Sequence, residues 1–197
     1  MKLSVRDSDL FDRRSLVADL LKERGETLVV GGLGASTWDL AAADLDDRNV
    51  YLWGGMGLAS SIGLGLALAQ PSRRILVVTG DGEMLMGVGS LASIACAAPT
   101  NLAILVLDNQ AFGETGKQTG LTAGPTDIVH MAKGAGFASA RIAQPADLPD
   151  LKALLFRADG PVLAVARVAL SDDPLVLPTN NGALMAARFR SALGLAD

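Results

Sequence analysis

Two oxygen-bearing side chains stand at the ends of apolar runs, where a buried strand would deliver them to a site. Asp81 sits in Gly80-Asp81-Gly82, directly after Ile75-Leu76-Val77-Val78-Thr79. Asn109 follows Asp108 after the second run, residues 102–107. A carboxylate and an amide are hard oxygen donors, the kind Mg²⁺ takes, and flanking glycines let a backbone come close to a phosphate. The pair therefore suits a Mg²⁺-bound diphosphate.

Delivering both groups to one place requires a frame. Both runs are short, uncharged and rich in Leu, Ile and Val, as strands buried on two faces are. Residues 84–98 between them have the length and composition of a crossover helix. The unit reads strand, acidic turn, helix, strand, amide turn. In an open α/β sheet both turns emerge at the carboxyl ends of the strands, where ligands bind.

The rest of the chain repeats this alternation. An amphipathic helix over 9–24, ended by Gly25, precedes a strand at 27–30. Gly31-Gly32-Leu33-Gly34-Ala35-Ser36 then turns into a helix reaching about residue 45. That turn approximates a dinucleotide fingerprint but has Thr37 at the third glycine position, so it reads as an ordinary βα turn. A strand at 49–53 leads through Gly54-Gly55-Met56-Gly57 into a helix over 58–70, closed by Pro71. After 110–125, a loop long enough to be functional, come a helix from Thr126 to Lys133, a strand at 138–142, a helix at 145–158 and a strand at 161–168. A C-terminal helix, about 180–193 and capped by Asn180, ends the chain. The expectation is an α/β fold: one doubly wound, mostly parallel sheet of about six strands with helices on both faces, a single domain over 1–197.

Composition excludes several classes. A net charge of −4 without a Lys/Arg cluster gives no nucleic-acid footprint. One cysteine, Cys96, rules out a disulfide framework and a self-contained iron–sulfur cluster, and its place in an apolar helix makes it a buried small hydrophobe. The uncharged stretches 49–72 and 84–107 are each broken by Gly, Pro or Asn and read as core, not as membrane spans. The charged N-terminus shows no signal peptide, so the expected location is cytoplasmic.

GDG followed by 26 residues and then Asn109, within Asp108-Asn109-Gln110-Ala111-Phe112-Gly113, resembles the thiamine-diphosphate (ThDP) motif. Trp53-Gly54-Gly55-Met56-Gly57 resembles the cofactor-bending segment of ThDP-dependent 2-oxoacid decarboxylases. The resemblance covers roughly residues 10–168 and is densest over 51–120, where the run resembles the sulfopyruvate and phosphonopyruvate decarboxylases of that family. It implies Mg²⁺ held by Asp81, Asn109 and the Ala111 carbonyl. Gly54, Gly55, Met56, Gly80, Gly82, Glu83, Phe112, Gly113 and Glu114 would line the cofactor, with the Gly54 carbonyl accepting from its 4′-amino group and Met56 wedging it into a V. Gln110-Ala111-Phe112 departs from the Gly-Val-Tyr type of turn common in that group, which touches substrate identity more than metal binding.

The family also needs a glutamate from a pyrimidine-binding domain, for which this chain has no room. The resemblance implies a partner, an alpha subunit supplying that Glu, and a lyase acting on an anionic 2-oxoacid or related ketone. Glu83 lies at the diphosphate end and reads as surface or helix-start charge. Lys117 is the candidate for the substrate's anion. His130 reads as a packing or surface residue. The alternatives are the ThDP-binding beta subunit of a 2-oxoacid oxidoreductase, and a non-catalytic cofactor-binding or scaffold subunit.

Overall fold

The structure, a computed structural model, describes residues 9–195. In chain order the elements are α1 (Arg13–Leu21), β1 (Leu28–Gly31), α2 (Ala35–Ala43), β2 (Asn49–Tyr51), α3 (Ala59–Ala69), β3 (Ile75–Gly80), α4 (Asp81–Met86), α5 (Ser90–Ala97) and β4 (Leu102–Asp108). There follow β5 (Ala111–Phe112), β6 (Gln118–Thr119), α6 (Ile128–Ala135), β7 (Ser139–Ala143), α7 (Leu148–Phe156), β8 (Val162–Arg167) and α8 (Gly182–Ala192).

Six strands form one sheet in the order β2-β1-β3-β4-β8-β7, every pair parallel. Alternation along each strand sends side chains to two cores. Val29, Leu76, Val78, Leu105 and Leu107 face α1, α2 and α7. Val30, Ile75, Val77, Ile104 and Val106 face α3, α5 and α6. β1, β3, β4 and β8 are buried almost throughout, as their unbroken apolar runs require. Among the described residues no helix is long and apolar enough to cross a membrane.

The chain steps from β1 outward to β2 and then back past β1 to β3, so the winding reverses between β1 and β3. Register then sets the site. Gly80 pairs with Leu107 across β3 and β4, so Asp81 and Asp108 leave the sheet at the same level.

Several expected boundaries move for local reasons. The expected helix over 84–98 starts earlier, at Asp81, and breaks at Gly87-Val88-Gly89 into α4 and α5. A Cβ on Gly87 would lie 2.0 Å from the Gly57 carbonyl oxygen, so this close crossing of two backbones requires glycine there. α1 begins at Arg13, capped by the Asp12 side chain, which accepts from the Ser15 amide. α6 is capped by Asp127, not Thr126, runs through Gly134 and ends at Gly136, whose φ of 112° suits glycine. Asn181, not Asn180, caps α8. The 110–125 segment holds a short antiparallel hairpin, β5 with β6. Cys96 is exposed on α5 and not buried, because the uncharged helix turns that side away from the sheet.

Candidate active site

A cleft of about 440 Å³ opens at the carboxyl ends of the strands. Its walls are the turns after β1 (Leu33, Ala35, Ser36), β3 (Gly80, Asp81, Gly82, Glu83) and β4 (Asn109, Ala111, Phe112). It lies at the winding reversal, where open α/β sheets bind ligands. Met56 enters from the turn before α3, and Gly113, Glu114 and Lys117 from the hairpin. Gly54 and Gly55 do not line it; Gly54 is exposed, with nothing within 4 Å of a notional Cβ.

Asp81 is buried, and burial raises its pKa, with the nearby Asp108 charge acting in the same direction and a Thr122 hydrogen bond acting against them. Thr122 Oγ1 lies 2.8 Å from Asp81 Oδ2 and 2.8 Å from Asp108 Oδ1. A hydroxyl has one proton and serves only one of them at a time. Arg167 Nη1 compensates Asp108 at 2.9 Å, whereas among the described residues no lysine or arginine pairs with Asp81. A buried carboxylate beside a second one, with no lysine or arginine of its own among the described residues, has the chemistry that suits a divalent-metal ligand. Asn109 Oδ1 accepts from the Ala111 amide at 2.9 Å, which orients that side chain and the Ala111 peptide together. A Cβ on Gly82 would stand 2.7 Å from the Phe112 ring, whereas at Gly80 and Gly113 it would meet nothing. The oxygen donors, open glycine backbone and cleft volume fit a Mg²⁺-diphosphate cofactor.

Glu83 is not the surface charge expected from the sequence. It is 4% exposed. Its Oε2 accepts from the Leu33 amide at 2.9 Å and from Thr79 Oγ1 at 2.8 Å, and burial raises its pKa. Sequence reasoning also missed the turn after β1 as a wall of the cleft. Its signal was present in Gly31-Gly32-Leu33-Gly34, but that signal did not say which neighbouring strand the turn would face.

The rim is held by long-range contacts. Trp38 Nε1 donates to Glu114 Oε1 at 3.1 Å, and Lys117 Nζ pairs with Asp172. Residues 170–175 cross the mouth, with Leu170, Ser171 and Leu175 facing the cleft. Arg13 Nη2 reaches Asp173 at 3.7 Å, and Arg14 Nη2 donates to the Pro174 carbonyl at 2.8 Å. Trp53 donates to the Thr179 carbonyl at 2.8 Å, and its ring meets Trp38 edge-on with centroids 5.0 Å apart. His130 lies away from the cleft, its exposed ring against Asp127, as a surface residue.

Fold and cleft together define a ThDP-binding α/β domain. The family model described as "Thiamine pyrophosphate enzyme, C-terminal TPP binding domain" matches residues 33–166, and the chain belongs to that family; thiamine pyrophosphate is another name for ThDP. The chain is 40% identical over 139 residues to the sulfopyruvate decarboxylase subunit beta of Methanothermobacter thermautotrophicus, covering 71% of this chain and 72% of that one. It is 36% identical over 178 residues to the phosphonopyruvate decarboxylase of Streptomyces viridochromogenes, covering 89% of this chain and 44% of that protein. Among solved structures, the Rhodococcus jostii ThDP-dependent 4-hydroxybenzoylformate decarboxylase superposes with a TM-score of 0.63 at 24% identity, over 88% of this chain and 35% of the other. That likeness concerns the fold.

Proposed function

We propose that this chain is the small, diphosphate-binding subunit of a heteromeric ThDP-dependent lyase that decarboxylates an anionic 2-oxoacid or cleaves a related ketone. The observation that carries the reading is the convergence of Asp81, Asn109 and Met56 on one cleft at the winding reversal. Asp81, Asn109 and the Ala111 carbonyl would hold Mg²⁺, and Gly80, Gly82 and Gly113 leave room for the diphosphate. Met56 would support the bent cofactor, with the Gly54 carbonyl toward its aminopyrimidine end. When bound, ThDP supplies the carbon nucleophile and the electron sink. The chain's own part is to bind, orient and shield it.

Lys117 lines the cleft and, among the described residues, pairs with a highly exposed Asp172, so an anionic substrate group can take over its charge. Arg13 also lines the cleft, but it is committed to Asp39 and Asp173. The partner subunit, supplying the activating Glu, would cover uncharged surface near residues 54–57, where Leu58 and Met86 stand exposed. The oxidoreductase and scaffold alternatives are not favoured: the relatives named above are decarboxylases, and the cleft keeps its oxygen donors and Met56 together.

The test is reconstitution. The isolated chain with ThDP and Mg²⁺ should turn nothing over, and its co-purifying partner should restore decarboxylation. Unchanged ThDP affinity of the Asp81→Ala complex would overturn the metal assignment.

A further inference from the structure

Glu83 is a buried carboxyl group whose side chain the binding scheme above does not use. Its position is constructed from several directions. Oε2 takes the Leu33 amide from the turn after β1 and the Thr79 hydroxyl from the end of β3. A Cβ on Gly32 would fall 1.8 Å from that oxygen, so the carboxylate lies directly on the Gly32 backbone. The backbone amides of Ala59 and Gly57 also face the carboxylate, while Oε1 is buried without a completed hydrogen bond. Three chain segments therefore converge on one side chain of α4.

α4 carries Asp81 at its first position and ends where Gly87 crosses Gly57 backbone to backbone. Its two ends thus meet the two ends of the cleft, the oxygen-donor turn and the segment carrying Met56. A hydrogen-bonded carboxylate buried between such turns restricts their relative movement, because losing a contact leaves a buried donor unsatisfied.

We propose that Glu83 is a positioning residue that locks the turn after β1 and the segment at 57–59 onto α4, fixing the spacing between the metal end and the Met56 end of the cleft. The role rests on the ThDP reading of that cleft. It is separable from that reading because a short ligand needs only one end of the site and ThDP needs both.

The experiment compares two probes, Mg²⁺-pyrophosphate and Mg²⁺-ThDP, by calorimetric titration of the full chain in the complex with which it co-purifies. Glu83→Ala should weaken ThDP by about tenfold or more, the scale of losing a hydrogen bond to a charged group, while pyrophosphate affinity stays within about twofold. Glu83→Gln nearly preserves volume and guards against a folding failure. In either orientation its NH₂ replaces an acceptor facing backbone N–H groups, so the same split should appear. Equal loss of both probes would reduce Glu83 to a support of the metal turn and overturn the proposal, as would no loss of either. A wild-type complex that binds pyrophosphate but not ThDP would instead overturn the cofactor reading.

Discussion

Thr122 Oγ1 lies 2.8 Å from Asp81 Oδ2, within hydrogen-bond reach across 41 positions of sequence, and it is shared with Asp108 at the same distance. Asp81 opens α4, whereas Thr122 lies near the end of the long segment after β4, so the Asp81 turn and that segment are mechanically one piece. Thr122→Val keeps the shape and removes the donor. The expected result is about tenfold weaker Mg²⁺-dependent ThDP binding, the cost of one charge-assisted hydrogen bond. Thr122→Ser should restore most of it, measured by Mg²⁺ titration of ThDP retention.

Glu114 fastens the hairpin to the turn after β1. Its carboxylate receives the Trp38 indole N–H, and a Cβ on Gly34 would lie 2.9 Å from it. Glu114→Ala should free the 113–117 turn. Trypsin should then cut after Lys117 several-fold faster, because cleavage of a native chain follows local opening. Saturation with Mg²⁺-ThDP should slow that cut again.

Asp39 is fully buried on α2, where Arg13 and Arg14 both donate to it. Asp39→Ala would leave one buried and one partly buried guanidinium group without their shared anion. The expected cost is about 3–5 kcal/mol, read as a lowered urea midpoint with an unchanged slope. Because Arg13 also contacts Asp173 in the segment across the mouth, ThDP affinity should fall as well.

Acid sensitivity has an identifiable contributor away from the site. Arg48 hydrogen bonds hold Asp46 down to about 2. A carboxyl with a depressed folded-state pKa stabilises above its unfolded value, near 4, and that contribution is lost as pH falls toward the folded value. Thermal unfolding between pH 5 and 2 should show this loss. Asp46→Asn should be less stable at pH 5 and flatter across the same window.

How much could be read in advance differs by element. The two central strands were legible because burial on both faces demands unbroken apolar runs, and 75–78 and 102–107 are wholly apolar. The helix over 84–98 was misjudged because the reason for its break is tertiary: Gly87 must pass the Gly57 carbonyl, a neighbour 30 residues earlier. Cys96 is exposed and Glu83 is buried, each the reverse of what its local sequence suggests. A helix in this layer has too few charges to show which face turns outward, and a carboxylate beside a glycine turn carries no local sign of burial.

Within the sequence itself lay the alternation of strands and helices, the Asp81–Asn109 spacing and the glycines around those turns. These follow from local rules: apolar runs make buried strands, and polar residues at their carboxyl ends reach the ligand edge. Only the tertiary structure decided that β1 lies against β3. That adjacency brings Leu33 to Glu83 and gives the cleft its third wall, while the pairing of β3 with β4 sets Thr122 on Asp81. Such contacts depend on strand order and register, which are settled by packing of the whole sheet and not by any single stretch of chain.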